Sequence, residues 1–391
     1  MAWPWPNSAT GARSRSEAVA VFTELTRFQI DHSPAELDDL HRRICGGRWP
    51  ERATDDSQGI SVEFLREVTE YWSQSYDWMA TQQRLNDLPQ YTAMVDDLRI
   101  HFVHKRSDRS DAIPMILTHG WPGSFVEFEG VIGPLTDPPP GQPAFHVVIP
   151  SLPGYGYSAK PAEAGWDFER TAHAWGNLMR GLGYSEYVAQ GGDWGALVTS
   201  AMASAGAEGL RAIHLNLPLV FPAEPPAEPT DSEKRAMTAA AQYSAKGTGY
   251  YAIQATRPQT IGYGLADSPI GQAAWILDKV LEWTDHRGDP WGYLDLDRML
   301  DIVTIYWLTN SAASSARYYW ENARGRGFRG PVLDLPVGVS VFPKELYTPP
   351  REWADAYYRR IIHWGEPDRG GHFAAFEQPS IFVDELRSCF G

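Results

Sequence analysis

Cysteine is scarce in this chain: 391 residues contain two, Cys45 and Cys389. They lie near opposite ends, so neither a disulfide framework nor a cysteine metal site has the residues it needs. Both are expected to be free thiols in a reducing compartment, which points to the cytoplasm. Long apolar runs are missing too. Nothing approaches the roughly 18 apolar residues of a membrane span, and residues 1–17 lack the apolar centre of a secretory signal. There is no long block of one charge sign. The net charge of −15 is spread along the chain, which favours solubility and argues against nucleic acid or an anionic membrane as a partner. Repeats and low-complexity tracts are also absent. No motif calls for a metal or a cofactor, and none is expected.

Aromatic residues, by contrast, are plentiful, with 16 Trp and 18 Tyr. At that density they suit an apolar pocket as well as a large core. Apolar content of 43% and charged content of 21% are those of an ordinary globular protein. The length allows one large domain with an insertion, or two domains.

Residues 1–90 read as helical. Ser33-Pro34-Ala35-Glu36 has the form of a helix cap with proline at the first helical position. Residues 64–78 carry apolar residues at helical spacing, and Trp49-Pro50 and Leu88-Pro89 interrupt the pattern. From Met94 the period changes. Residues 98–104 alternate like a strand, and residues 113–118 and 145–149 are short buried-strand runs. A helix is expected over 175–182, and strands over 187–190 and 212–215. Strands alternating with helices imply a mostly parallel sheet covered on both faces. The prolines around residues 223–229 then break the pattern. Residues from about 230 to 325 read as Tyr- and Trp-rich helices, before strands return at 337–342 and 360–364 and a helix ends the chain at 380–389. A helical cap is therefore expected between two parts of an α/β core.

The chain is organised around Gly191-Gly192-Asp193-Trp194-Gly195. The apolar run Tyr187-Val188-Ala189-Gln190 precedes it and helix-forming residues follow, the strand-to-helix setting of a nucleophile elbow. The turn leaves no room for a Cβ at its glycines. The central residue is Asp, where the familiar elbow has Ser. A carboxylate there can displace a leaving group from saturated carbon and form an ester on the enzyme. The helix start behind it supplies N–H groups and partial positive charge, which keep Asp193 ionised. The same five residues would also serve as a glycine-rich turn with a capping Asp, so the rest of the chain has to decide.

His119-Gly120-Trp121-Pro122 follows the run 113–118, read as the third core strand. In α/β-hydrolases the loop at this point lends one oxyanion N–H and the residue after the nucleophile lends the other. Here those donors would be Trp121 and Trp194. Gly370-Gly371-His372-Phe373 follows the last strand, where the fold places its base, and the chain order nucleophile, acid, His selects His372 among 11 histidines. Glu345, just after Phe342-Pro343, is placed to orient it. Asp334, Glu366 and Asp368 are weaker alternatives.

Together these motifs resemble the epoxide hydrolases of the microsomal type, in the α/β-hydrolase superfamily. The likeness covers nearly the whole chain: residues 28–30 through 48–50 and Tyr71-Trp72, His119 to Ser124, the Asp193 elbow, Gln254 to Thr260, Asp267-Ser268-Pro269, Phe342 to Glu345 and Gly370 to Phe376. It implies an α/β-hydrolase fold with a mostly parallel central sheet, an inserted helical cap and an N-terminal helical meander. The expected divisions are a meander at 1–93, core at 94–218 and 330–391, and a cap at 219–329. Unlike mammalian members, the chain shows no N-terminal membrane anchor, so it is similar to the soluble bacterial and fungal relatives.

The family protonates the epoxide oxygen with two cap tyrosines. By position these are Tyr250, with Tyr251 as its rival, and Tyr319, with Tyr318 as its rival. Phenol O–H groups meet the developing alkoxide while the site remains neutral. The implied reaction needs no cofactor and turns a small apolar epoxide and water into a vicinal diol. Asp193 opens the ring, and His372, oriented by Glu345, activates the water that hydrolyses the ester. Relatives suggest a homodimer. A haloalkane dehalogenase, which also has an Asp-Trp elbow, and a non-catalytic binding protein of the same fold are the competing readings.

Overall fold

The computed structural model describes residues 22–222, 224, 226–324 and 330–391. The N-terminal residues 1–17, and Ala223 and Pro225 of the proline cluster, lie outside the described residues.

The sheet is built from β1 (Phe22–Arg27), β2 (Gln90–Val95), β3 (Leu98–Lys105), β4 (Ile113–Thr118), β5 (Phe145–Pro150), β6 (Tyr187–Gly191), β7 (Leu210–Leu215), β8 (Val337–Ser340) and β9 (Ile361–Gly365). Their spatial order is β1-β2-β3-β5-β4-β6-β7-β8-β9. β1, β2 and β3 form an antiparallel edge joined antiparallel to β5. From β5 across to β9 every pairing is parallel. All five residues of β6 are buried. That is what its uninterrupted apolar pattern requires, because a parallel strand is covered on both faces. Helices α4 (Glu129–Thr136), α5 (Phe168–Gly181), α6 (Trp194–Ser204) and α16 (Pro379–Phe390) supply the cover. α6 packs on β6 and β7, α4 on β5, and α16 on α4 and β9.

Two expectations for the N-terminal part need correction. β1 lies in the stretch expected to be helical. Its side chains are mostly exposed, so it shows no apolar alternation and joins the sheet through its backbone. The run 64–78 is not one helix. α2 (Val62–Gln74) ends, and Asp77 caps α3 (Trp78–Asn86) by accepting from the Ala80 N–H at 3.1 Å. α1 (Pro34–Cys45) does open with a capping box, in which the Ser33 and Glu36 side chains bond each other's backbone N–H groups.

Between β7 and β8 lie α7 (Asp231–Gln242), α8 (Gly249–Thr256), α9 (Pro258–Asp267), α10 (Pro269–Trp283), α11 (Pro290–Tyr293), α12 (Leu296–Leu308) and α13 (Ala312–Ala323). Pro258 and Pro269 start their helices at the first position, where the missing N–H costs nothing. α8 and α9 pack on α13, and α10 packs on α9 and α12. Short helices α14 (Arg351–Ala354) and α15 (Ala374–Glu377) complete the set.

The N-terminal helices grip this inserted layer. The carboxylate of Asp301, on α12, is fully buried. It accepts from Tyr76 Oη at 2.8 Å, Thr81 Oγ1 at 2.9 Å and Arg84 Nη2 at 2.5 Å. Arg84 also pairs with Glu129 of α4, which Arg298 of α12 meets at 2.5 Å. Trp72 Nε1 donates to Thr304 Oγ1 at 3.0 Å. Among the described residues, no helix is long and apolar enough to cross a membrane. Cys45 is exposed, Cys389 is buried, and both are free thiols.

Candidate active site

β6 runs into the elbow at Gly191, and α6 begins at Trp194. Asp193 sits between them at φ +50° and ψ −127°, a strained conformation for a side chain with a Cβ. Close packing enforces the turn. A Cβ on Gly195 would overlap the Thr118 carbonyl of β4, and one on Gly120 would overlap the Asp193 carboxylate.

The loop after β4 brings its first donor directly to the nucleophile. Trp121 N–H donates to Asp193 Oδ1 at 2.8 Å. The peptide between Trp121 and Pro122 is cis. His119 braces the loop: Nδ1 donates to the Gly120 carbonyl at 2.9 Å and Nε2 accepts from the Leu152 N–H at 3.1 Å. Burial lowers its pKa to about 4, which suits the neutral ring those two bonds require. Trp194 follows the nucleophile directly, and its ring stands edge-on to Tyr319 at 4.8 Å.

The loops after β8 and β9 meet on the other side of Asp193, where Lys344 and Gly371 form an isolated parallel bridge. His372 Nδ1 donates to Glu345 Oε1 at 2.6 Å, and Nε2 lies 3.5 Å from Asp193 Oδ2. The His372 N–H donates to the Trp283 carbonyl at 2.9 Å. Glu345 is itself buried, and its Oε1 also accepts from the Leu346 N–H at 2.7 Å. Burial alone would lower the His372 pKa. The Glu345 and Asp193 carboxylates outweigh it and hold the imidazole well above its ordinary value. Of the other acids considered, Asp334 pairs with Arg359 at 2.9 Å, and Glu366 accepts from the Trp364 indole at 3.0 Å.

Tyr250 of α8 and Tyr319 of α13 come down on this pair of loops. The Tyr250 ring stacks on Trp121 at 5.0 Å and 9°, and its hydroxyl is 2.9 Å from Tyr243 Oη. Tyr319 lies edge-on to Trp121 at 5.9 Å, and its buried hydroxyl has no hydrogen-bond partner. Burial pushes both phenols well above their ordinary pKa, so both remain O–H donors. The neighbouring tyrosines differ. Tyr318 Oη already donates to Thr171 Oγ1 of α5 at 3.0 Å. Tyr251 lies in the wall of the pocket with its ring edge-on to Tyr319 at 5.5 Å. That pocket has a volume of about 360 Å³ and is walled largely by Leu197, Leu217, Leu219, Phe221 and Leu346. Asp193, Tyr250 and Tyr319 line it too.

Sequence reasoning missed three residues at the site. Tyr243 is unmarked among many cap tyrosines. Trp283 acts through its carbonyl, which no side-chain pattern reveals. Glu127 left a weak signal, a carboxylate within the apolar run Phe125-Val126-Glu127-Phe128. Among the described residues, no group of three or more His, Cys, Asp or Glu side chains is gathered to hold a metal.

Comparisons with known proteins place the chain in a family. The family model "Epoxide hydrolase N terminus" matches residues 25–128, and "alpha/beta hydrolase fold" matches residues 113–266. The chain is 53% identical over 373 residues to the "Putative epoxide hydrolase" of Stigmatella aurantiaca (strain DW4/3-1), covering 94% of this chain and 84% of that one. It is 32% identical to "Epoxide hydrolase 1" of Sus scrofa over 96% of this chain and 90% of the relative. Among solved structures, Aspergillus niger epoxide hydrolase superposes with a TM-score of 0.83 at 32% identity, covering 93% of this chain and 95% of that chain. Juvenile hormone epoxide hydrolase from the silkworm Bombyx mori gives a TM-score of 0.87 at 30% identity, with 94% of each chain covered.

Proposed function

The chain belongs to the epoxide hydrolases of the microsomal type, within the α/β-hydrolase superfamily, and from that premise we propose the path by which it turns an apolar epoxide into a vicinal diol. The observation that carries the reading is Tyr319 Oη. It is buried without a partner and lies beside Tyr250 in an apolar pocket that also holds Asp193. A phenol kept neutral and unengaged is what an opening epoxide oxygen needs.

In the first step Asp193 attacks one ring carbon. The C–O bond breaks, and the oxygen takes a proton from the Tyr250 and Tyr319 pair. One well-placed donor of this kind is worth about 2.7–4 kcal/mol in the transition state. The product is an alkyl ester on Asp193, which no longer carries charge. That loss has a consequence for the base. The Asp193 carboxylate is one of the two groups holding the His372 pKa up. Once it is esterified, one of those two groups is gone and burial counts for more, which favours the neutral imidazole beside the ester.

In the second step His372 Nε2 takes a proton from water as the water oxygen attacks the ester carbonyl. Glu345 fixes the ring with Nδ1 protonated and stabilises the imidazolium. The oxyanion lies on the N–H groups of Trp121 and Trp194. Collapse expels the diol oxygen, which takes the proton back from His372, and the proton left on the Asp193 carboxyl returns to the tyrosine pair, so that the carboxylate and both phenols are restored. We read residues 1–93 as the meander, 219–329 as the cap carrying both tyrosines, and 94–218 with 330–391 as the core carrying the rest.

Styrene, cyclohexene, stilbene and limonene oxides, assayed for diol with chiral separation, test the reading. Diol from at least one is expected. Halide release from chloroalkanes without diol from any epoxide would overturn it in favour of a dehalogenase. Silence on both panels would favour a binding protein.

A further inference from the structure

A second, much smaller cavity adjoins Asp193. Its volume is about 20 Å³, and Thr118, Gly120, Glu127, Asn216, His372 and Ala375 are among its walls. It shares only Asp193 with the apolar pocket. This volume holds about one water, which needs two to four polar partners to be stable there. Asp193 and His372 offer two, and Glu127 is a third.

Glu127 is an unusual residue to find buried. It lies just before α4, and its Oε1 has no hydrogen-bond partner. The carboxyl occupies the space that a side chain at position 123 would fill, so Gly123 is what admits it. Burial raises its pKa to about 8, with His372 lowering it and Asp193 raising it. At neutral pH it is therefore mostly a carboxylic acid, able both to donate and to accept. Glu127 also borders another cavity, of about 150 Å³, lined by Tyr293, Asp295, Arg298 and Pro379 among others. Glu127 and Ala375 are the residues common to this cavity and the small one.

We propose that Glu127 holds the hydrolytic water against the Asp193 ester, and that replacement water arrives past Glu127 and Ala375 from the cavity beside Arg298, apart from the pocket that takes the epoxide. The proposal rests on the ester path above. The bound water is the one that bonds to the ester carbon and gives its proton to His372 Nε2. Glu127 orients it and takes no net proton.

Single-turnover kinetics with styrene oxide test this. Ester formation and ester decay are followed separately by rapid quench and intact-protein mass, in wild type, Glu127→Met, Ala375→Leu and His372→Gln. Glu127→Met keeps the length of the side chain but removes both of its polar atoms. It is expected to form ester at close to the wild-type rate but to lose it roughly tenfold more slowly, the effect of one hydrogen bond to a reactant. Ala375→Leu narrows the way in and should slow decay in the same selective manner. A merely structural role would slow both half-reactions together, and that result would overturn the proposal. So would ester decay at the wild-type rate in Glu127→Met. Slow decay in Glu127→Met with normal decay in Ala375→Leu would overturn the proposed water route. If no variant formed ester, His372→Gln included, the covalent path itself would fall, and the role of Glu127 with it.

Discussion

The two sides of Asp193 could hardly be less alike. On one, a pocket of about 360 Å³ is walled mostly by leucines and aromatic rings from cap and core. On the other, a cavity of about 20 Å³ is bounded by the loops that carry Gly120, Glu127 and His372. Each suits one half of the proposed reaction. Ring opening needs apolar binding area and an O–H donor, which the cap provides. Ester hydrolysis needs a single ordered water and a base, which rigid core loops provide. Because the two sides have only Asp193 in common, changes on one should leave the other half-reaction running.

Removing the shared residue is the strongest test. Asp193→Ala should abolish diol formation and covalent labelling while the circular dichroism spectrum is retained. More than a trace of turnover would show that the carboxylate is not the nucleophile. Changing only the core side is nearly as severe for turnover. His372→Gln should react once with epoxide and stall, adding one substrate mass that peptide mapping places on residue 193. An unlabelled protein would mean that His372 acts during ring opening, and that water attacks the epoxide directly.

On the cap side, Tyr250→Phe and Tyr319→Phe should each slow ester formation by about 10²–10³, the value of one good oxyanion donor, and leave ester decay intact. The double variant should all but stop ring opening. Tyr318→Phe should change little, since its hydroxyl is engaged by Thr171. Equal losses at Tyr318 or Tyr251 would show that the donor pair is misassigned. Glu345→Gln should slow ester decay less than His372→Gln does, because it weakens orientation without removing the base.

A subtler contrast concerns stability. Burial lowers the pKa of His101 and His214 to about 3 and that of His119 to about 4. The unfolded chain takes up these protons near pH 6.5, so each such histidine destabilises the fold as pH falls from about 6.5 toward its folded value, by about 2 kcal/mol at pH 5. His372 has the opposite sign. Its raised folded pKa adds stability below about pH 6.5 that fades as pH rises through the folded value. Thermal melts from pH 7.5 to 4.5 should therefore show the melting temperature falling below about pH 6.5. Glu127 works against this trend, because its raised folded pKa adds stability as pH falls from about 8 toward 4.5, and a flat profile would mean that such gains cancel the cost of the three buried rings.

The core side was far more legible in the sequence than the cap side. Asp193, His119 and His372 sit in turns where neighbouring glycines are a steric necessity, so the glycines announce the site. Glu345 could be ranked by chain order alone. The cap tyrosines carry no such mark. Adjacent residues on a helix point about 100° apart, and packing decides which of Tyr318 and Tyr319 turns toward Asp193. That is a tertiary fact. β1 escaped notice because it joins the sheet through its backbone with exposed side chains. The break between α2 and α3 hid inside an apolar rhythm that continues across Ser75 and Tyr76. Glu127 left only the weak signal of a carboxylate in an apolar run, because its reach depends on the missing side chain of Gly123.

The grip of the N-terminal helices on Asp301 sets how the molecule comes apart. That carboxylate is buried on α12, yet its donors Tyr76, Thr81 and Arg84 all come from the segment before the sheet's first long strands. Peeling that segment away would leave an uncompensated charge in the interior, a penalty of about 3–5 kcal/mol. Releasing the inserted helices would cost Arg84 its Asp301 partner and Glu129 its Arg298 partner, leaving those two with only each other. Neither piece can leave at low cost while the other stays. Three stretches that look separable along the chain are thereby tied into one cooperative unit, and calorimetry should record a single transition, not a sequence of melting domains.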